Sequence, residues 1–275
     1  MPIRVAIAGA GGRMGQALIE AVLASPTLGL AAALNLPDSA AIGADAGERI
    51  GRATGIRIGS DIPAAVRAAD VLIDFTRPEG TLVHVAECAS AGVAAVVGTT
   101  GMSDAQKAKL ANHASAIPIV FAANMSVGVT VLLALVETAA RALGPAYDIE
   151  IVEMHHKHKV DAPSGTALSL GAAAATGSGY SLSDCAVYAR EGVTAERRAG
   201  TIGFASLRGG DVVGDHTVVF AGSGERVELV HRATSRQTFA VGALRAAESA
   251  SAVTAALGHY RMLAEHALRP WEETG

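Results

Sequence analysis

Ile3-Arg4-Val5-Ala6-Ile7-Ala8-Gly9-Ala10-Gly11-Gly12-Arg13-Met14-Gly15 sets a short apolar strand against a glycine-rich turn, and the helical run Gln16–Ala24 follows at once. A first strand joined to a first helix in this way is the arrangement of dinucleotide-binding folds. Gly9 permits the tight turn, Gly11 or Gly12 lets backbone approach a pyrophosphate, and Gly15 lets helix pack on strand. Glycine turns also join strands to helices for steric reasons alone, so the motif draws weight from its place directly after a buried-looking strand. Arg13, just inside the helix, is positioned to meet a phosphate.

Working outward, strands and helices alternate. A second strand is expected at about Gly29–Leu34, followed by Asn35-Leu36, where such folds carry the residue that reads the adenosine ribose. Asn35 can hydrogen-bond a ribose hydroxyl but does not repel a 2′-phosphate as a carboxylate would, so the choice between NADH and NADPH stays open. Residues 39–59 read as loop or short helices, and Asp61–Ala69 as a helix. Val71–Phe75, Ala94–Val97 and Pro118–Phe121 read as three more buried strands, with helices at Thr81–Ala91 and after Ser103, where Gln106 completes a capping box. The pattern predicts an α/β, Rossmann-type doubly wound parallel sheet with ligands at the carboxyl ends of its strands. The loops Phe75–Arg77, Gly98–Gly101 and Ala122–Met125 fall on that rim.

After a helix at Val127–Leu143 the pattern changes to strands at 147–156, 185–190, 201–207, 212–221 and 226–230, joined by hairpin-like links. One helix, Ser164–Ala175, interrupts them. This is a second, α+β domain with a mostly antiparallel sheet, and its uncovered face is expected to pack on a partner subunit. Thr238–Leu268 is helical and returns to the first domain. The expected boundaries are 1–126 with 236–275 for dinucleotide binding, and 127–235 for substrate binding and oligomerisation.

Residues 147–168, YDIEIVEMHHKHKVDAPSGTAL, gather His155, His156, His158, Lys157, Lys159 and Asp161 on a loop between a strand and a helix. Ile149, Ile151 and Glu153 share one face of the strand, while Ser164 is placed to cap the helix. The free N–H groups of Gly165 and Thr166 would then bind an anion. Imidazoles, ammonium groups and an anion cradle suit a carboxylated substrate. A solvated basic loop is the plainer reading of the same residues. Zinc is disfavoured, because adjacent histidines on a strand point to opposite faces and the interleaved lysines repel a dication.

The chain has 275 residues, half of them apolar, with few aromatics and a formal charge of −4. Those values suit close-packed helices on a sheet and argue against nucleic acid as a partner. Cys88 and Cys185 match no metal or redox spacing, so reduced thiols and a cytoplasmic location are expected. Neither a signal segment nor a run of the roughly 20 apolar residues that span a bilayer is expected.

VAIAGAGGRMG, DFTRPEGT, VVGTTG, FAANMSVGV, EIVEMHHKHKVDAPSGTAL and GTIGFASLRGGDVVGDHTV together resemble the dihydrodipicolinate reductase family of bacterial lysine and diaminopimelate biosynthesis, nearly end to end. The resemblance implies NADH- or NADPH-dependent reduction of 4-hydroxy-tetrahydrodipicolinate, a small cyclic imine dicarboxylate, to tetrahydrodipicolinate with loss of water. It implies His155 as proton donor and acceptor, Lys159 as proton donor, and His156, Gly165 and Thr166 as substrate contacts. Cofactor contacts carry over to Gly9, Ala10, Gly11, Gly12, Arg13 and Met14, to Gly98, Thr99 and Thr100, and to Ala122, Ala123, Asn124 and Met125, with Asn35 at the ribose. No metal is implied, and the family forms homotetramers through the second-domain sheet. Where this chain has Asn35-Leu36 the family often carries Glu-Arg or an Asp, which leaves cofactor preference open. Two other readings are a different nicotinamide-dependent dehydrogenase of a small carboxylated substrate and a non-catalytic dinucleotide sensor.

Overall fold

The structure is a computed structural model that describes residues 1–256. The chain divides into two compact units, residues 1–126 together with 236–256, and Val127–Ser235.

The first unit opens with β1 (Ile3–Ala8), α1 (Arg13–Ala24) and β2 (Leu28–Leu34), then β3 (Ile58–Gly59), α2 (Ile62–Arg67), β4 (Val71–Asp74), α3 (Pro78–Ala91), β5 (Ala94–Val97), α4 (Asp104–His113) and β6 (Ile119–Phe121). All six strands run parallel, in the order β3-β2-β1-β4-β5-β6. β4 and β5 are buried along their whole length, as a sheet covered on both faces requires. The order reverses beside β1, which puts the glycine turn at the switch point where such sheets bind ligands. α3 begins at Pro78 rather than at Thr81, because proline at the first helical position gives up only an N–H that the helix leaves unsatisfied anyway. The capping box of Ser103 and Gln106 is present.

The second unit contains α5 (Val127–Leu143), β7 (Asp148–His155), α6 (Gly165–Gly177), α7 (Leu182–Cys185), β8 (Ala186–Val187), β9 (Ile202–Arg208), β10 (Gly214–Ala221) and β11 (Arg226–Ala233). Its strand order is β11-β10-β7-β9-β8. β10 pairs antiparallel with β11 and with β7, but β7, β9 and β8 run parallel, so the sheet is mixed. The strand expected over 185–190 shrinks to Ala186–Val187, since Arg190 leaves the ladder to pair with Glu150. Period-two burial along β7 sends Ile149, Ile151, Glu153 and His155 inward. The core under that face joins Leu132 and Val136 of α5 to Leu170 and Ala174 of α6 and to Phe204, Val218 and Phe220 of the sheet.

One expectation is corrected here. The segment Val127–Ala146 is 20 residues long, with a mean hydropathy of 1.6, and by length and composition it passes as a membrane span. Glu137 and Arg141 interrupt the apolar run. The two form an i,i+4 ion pair, and the helix buries Val129, Leu132, Val136 and Ala140 as one stripe.

α8 (Gln237–Ala256) belongs to the first unit. Its alanines Ala240, Ala243, Ala247 and Ala250 pack with α1 on one face of the sheet, while α2, α3 and α4 cover the other. The part of the expected helix beyond residue 256 lies outside the described residues.

Candidate active site

The inward row of β7 ends in a carboxylate and an imidazole, which lie where an apolar core meets the loop 156–161. Glu153 and His155 are both nearly excluded from water. His155 Nδ1 stands 2.6 Å from Glu153 Oε2. Arg208, at the end of β9, forks onto the same carboxylate with its two terminal nitrogens at 2.8 and 2.9 Å, and the N–H of Ser164 donates to it at 3.2 Å. Burial alone would raise the pKa of Glu153, yet the Arg208 fork and the other donors outweigh it and hold the carboxyl down at about 2. Ionised Glu153 can only accept, so the proton of neutral His155 sits on Nδ1 and Nε2 carries the lone pair.

His155 itself is shifted below its ordinary value, first by burial and then by the charges of Lys159 and Arg208, against the opposing pull of Glu153. Its ring meets that of His216 edge-on at 5.1 Å. A methyl group on Gly214 would sit 3.0 Å from His155 Nε2, so glycine keeps the approach to that nitrogen open. His216 Nε2 pairs with Ser164 Oγ at 3.0 Å, and burial, helped by His155, pushes its pKa down to about 4. The Ser164 hydroxyl also caps α6 by accepting from Ala167 N–H.

Gly165 and Thr166 begin α6 immediately beyond this cap, with Thr166 buried. Lys159 Nζ lies 2.7 and 2.8 Å from the two Asp161 oxygens, and the Asp161 carbonyl accepts from Arg208 at 2.6 Å. Arg208 thus fastens the histidine–lysine loop to the carboxylate beneath His155. His156 is half-buried and lies 6.2 Å, ring to ring, from exposed His158. The structure therefore gathers His155, His156, Lys159, Gly165 and Thr166 on one strand–loop–helix unit. Among the described residues, no group of three or more His, Cys, Asp or Glu is arranged to hold a metal.

In the first unit the glycine turn fits a dinucleotide. Gly9 has φ +73°, Gly15 has no room for a methyl group against the Gly9 carbonyl, and α1 carries neither a side-chain cap nor an acid in its first turn. The N–H groups at that end are left for an anion. Ala10 and Met125 point into the core, so only their backbones can meet a cofactor. Asn35 lies against Gly11, Thr100 is exposed, and Gly98 is packed under the Phe75 ring. The buried hydroxyl of Thr99 is bonded to Thr81 at 2.7 Å, and Asp74 holds Thr76 and His84. Asn124 Oδ1 accepts from Ser126 N–H at 2.8 Å and braces the Ala122–Met125 loop.

Four residues of the site escaped the sequence reading. The alternation puts Glu153 on the face of Ile149 and Ile151 but gives it no partner; a charge in an apolar row is the signal. His216 carries the same signal on β10. Arg208 and Gly214 lie in the family stretch GTIGFASLRGGDVVGDHTV but carry no local signal of their own, because their roles depend on which strands become neighbours.

A glycine-turn dinucleotide fold, with a buried His–Glu pair on a second unit, defines an NAD(P)H-dependent oxidoreductase. The family described as dihydrodipicolinate reductase matches in both parts, its N-terminal region over residues 3–125 and its C-terminal region over 128–264. The chain belongs to the dihydrodipicolinate reductase family. It is 58% identical over 248 residues to a 4-hydroxy-tetrahydrodipicolinate reductase of Thiobacillus denitrificans, covering 90% of this chain and 93% of that one. A protein of the same name from Cupriavidus metallidurans is 58% identical, with 89% and 92% covered. Among solved structures, a dipicolinate-bound dihydrodipicolinate reductase from Paenisporosarcina sp. TG-14 superposes with a TM-score of 0.71 at 26% identity, covering 92% of this chain and 96% of that one.

Proposed function

We propose that this protein reduces 4-hydroxy-tetrahydrodipicolinate to tetrahydrodipicolinate and water with NADH or NADPH, in lysine and diaminopimelate biosynthesis. The observation that carries the reading is the buried Glu153–His155 pair, with Lys159 and the start of α6 on the same strand–loop–helix unit. The glycine turn and the rim loops of the first unit would hold a reduced nicotinamide dinucleotide, which would supply the hydride when bound. The chain's own residues bind the dicarboxylate and handle protons. The N–H groups of Gly165 and Thr166 receive one carboxylate, with charge-assisted bonds from Lys159 and His156. Lys159 protonates the 4-hydroxyl as it leaves as water and takes back the proton lost from the adjacent ring carbon. His155 then delivers one proton from Nε2 to the reduced ring while Glu153 steadies the imidazolium, so that one hydride and one proton are consumed in all. The sheet of the second unit serves for assembly into a homotetramer, and the protein works in the cytoplasm. Neither nucleic acid nor a membrane is a partner in this reading.

The test is loss of nicotinamide absorbance with freshly made substrate. Turnover supports the reading. Cofactor binding without turnover favours the sensor, and turnover only with other carboxylated carbonyl compounds favours a different dehydrogenase.

A further inference from the structure

We propose that Arg49 binds the 2′-phosphate of NADPH, and that the enzyme takes NADPH in preference to NADH. The inference rests on the coenzyme role of the glycine turn and deepens it. Arg49 lies on a short 3₁₀ helix, Glu48–Ile50, and its Nη1 donates to the Gly11 carbonyl at 2.7 Å. That bond holds a guanidinium at the middle of the glycine turn. Asn35, at the end of β2, occupies the neighbouring space, since a methyl group on Gly11 would collide with its amide. The end of β2 is where this fold reads the adenosine ribose.

Selectivity for the unphosphorylated cofactor rests on a carboxylate at that point. This chain has none there. The Asn35 amide is engaged locally, with Nδ2 donating to Ser39 Oγ and Oδ1 accepting from Leu36 N–H, both at 3.0 Å. Asp38 and Glu48 are exposed, and among the described residues Arg49 forms no ion pair with either. Asp45 is fully engaged, taking N–H bonds from Gly47, Thr54 and Gly55 and the Thr54 hydroxyl. Those bonds brace the segment that presents Arg49, and Gly51, with φ +70°, closes its helical turn.

A guanidinium has five N–H donors, and one is used on Gly11. The others form a fork that matches a dianionic phosphate in shape and charge. Leu36, the second residue after β2, is exposed and apolar, so the cation comes from Arg49 in the following loop instead.

The test is calorimetry on the full chain with NADPH, NADH, 2′,5′-ADP and 5′-AMP, for wild type, Arg49→Ala and Arg49→Lys. We expect NADPH to bind wild type roughly 10-fold or more tighter than NADH, the worth of one charge-assisted contact. Arg49→Ala should remove most of that difference and leave NADH within about twofold. Arg49→Lys should keep part of it, and the 2′,5′-ADP and 5′-AMP pair should repeat the pattern. Equal or tighter NADH binding by wild type would overturn the inference. So would equal weakening of both cofactors by Arg49→Ala, which would mean the guanidinium braces the loop without reading the phosphate. If folded wild type bound none of the four, the coenzyme reading itself would fall too.

Discussion

Glu153 is a carboxylate with almost no access to water, held ionised by a guanidinium fork, and its charge governs what the imidazole beside it can do. By raising the affinity of His155 for a proton it opposes burial, which lowers it. If the protonated imidazole is the working form, kcat/KM falls as pH rises above the lowered His155 value. Glu153→Gln should then move that limb to lower pH and reduce kcat; an unmoved limb would count against the pairing. His155→Gln should lower kcat by roughly 10²–10⁴ with cofactor affinity unchanged, read by steady-state kinetics beside direct cofactor titration. His216 makes a stability prediction. It is neutral in the fold down to about 4 but takes up a proton near 6.5 when unfolded. The unfolded chain therefore binds more protons between those values, and stability drops as pH falls through that window, by up to about 3 kcal/mol. Denaturant titrations at pH 7 and pH 5 on wild type and His216→Gln check the sign, since the variant should lose less on acidification.

At the scale of the element, two short junctions decide whether the sites exist. Gly15 seats α1 directly on the backbone of the glycine turn, and Gly15→Ala should displace the helix, lower Tm and weaken dinucleotide binding together. Ser164 joins the cap of α6 to the buried His216, so Ser164→Ala removes a helix cap and leaves an imidazole nitrogen without its partner. The cap alone is worth about 1 kcal/mol, and the orphaned ring should add to that in a thermal melt. α5 shows why mean hydropathy misleads for a core helix. Its apolar content is high enough to span a bilayer, yet its period of about four packs one stripe against α6.

For the whole molecule, the outer face of the second sheet is the surface on which the proposed assembly rests. Leu207 and Val230 are exposed on it, in rows with Met154 and Val152, while ion pairs of Arg190 and Arg197 with Glu150 cross its surface. The double variant Leu207→Asp and Val230→Asp should lower the mass seen by sedimentation equilibrium, and an unchanged mass would remove this face from the interface. The parallel sheet, its turn residues and the family were legible in the chain because each rests on local pattern: buried strand runs, glycine where φ is positive, and short motifs. The histidine–lysine loop and the start of α6 were legible for the same reason, being neighbours along the chain. Arg208 and His216 under the imidazole, the parallel pairing of β7 with β9, and Arg49 over Gly11 come from distant segments. Only tertiary structure decided them, because strand neighbours and buried partners are chosen by packing between segments, whose pairing leaves no periodic trace in either one alone.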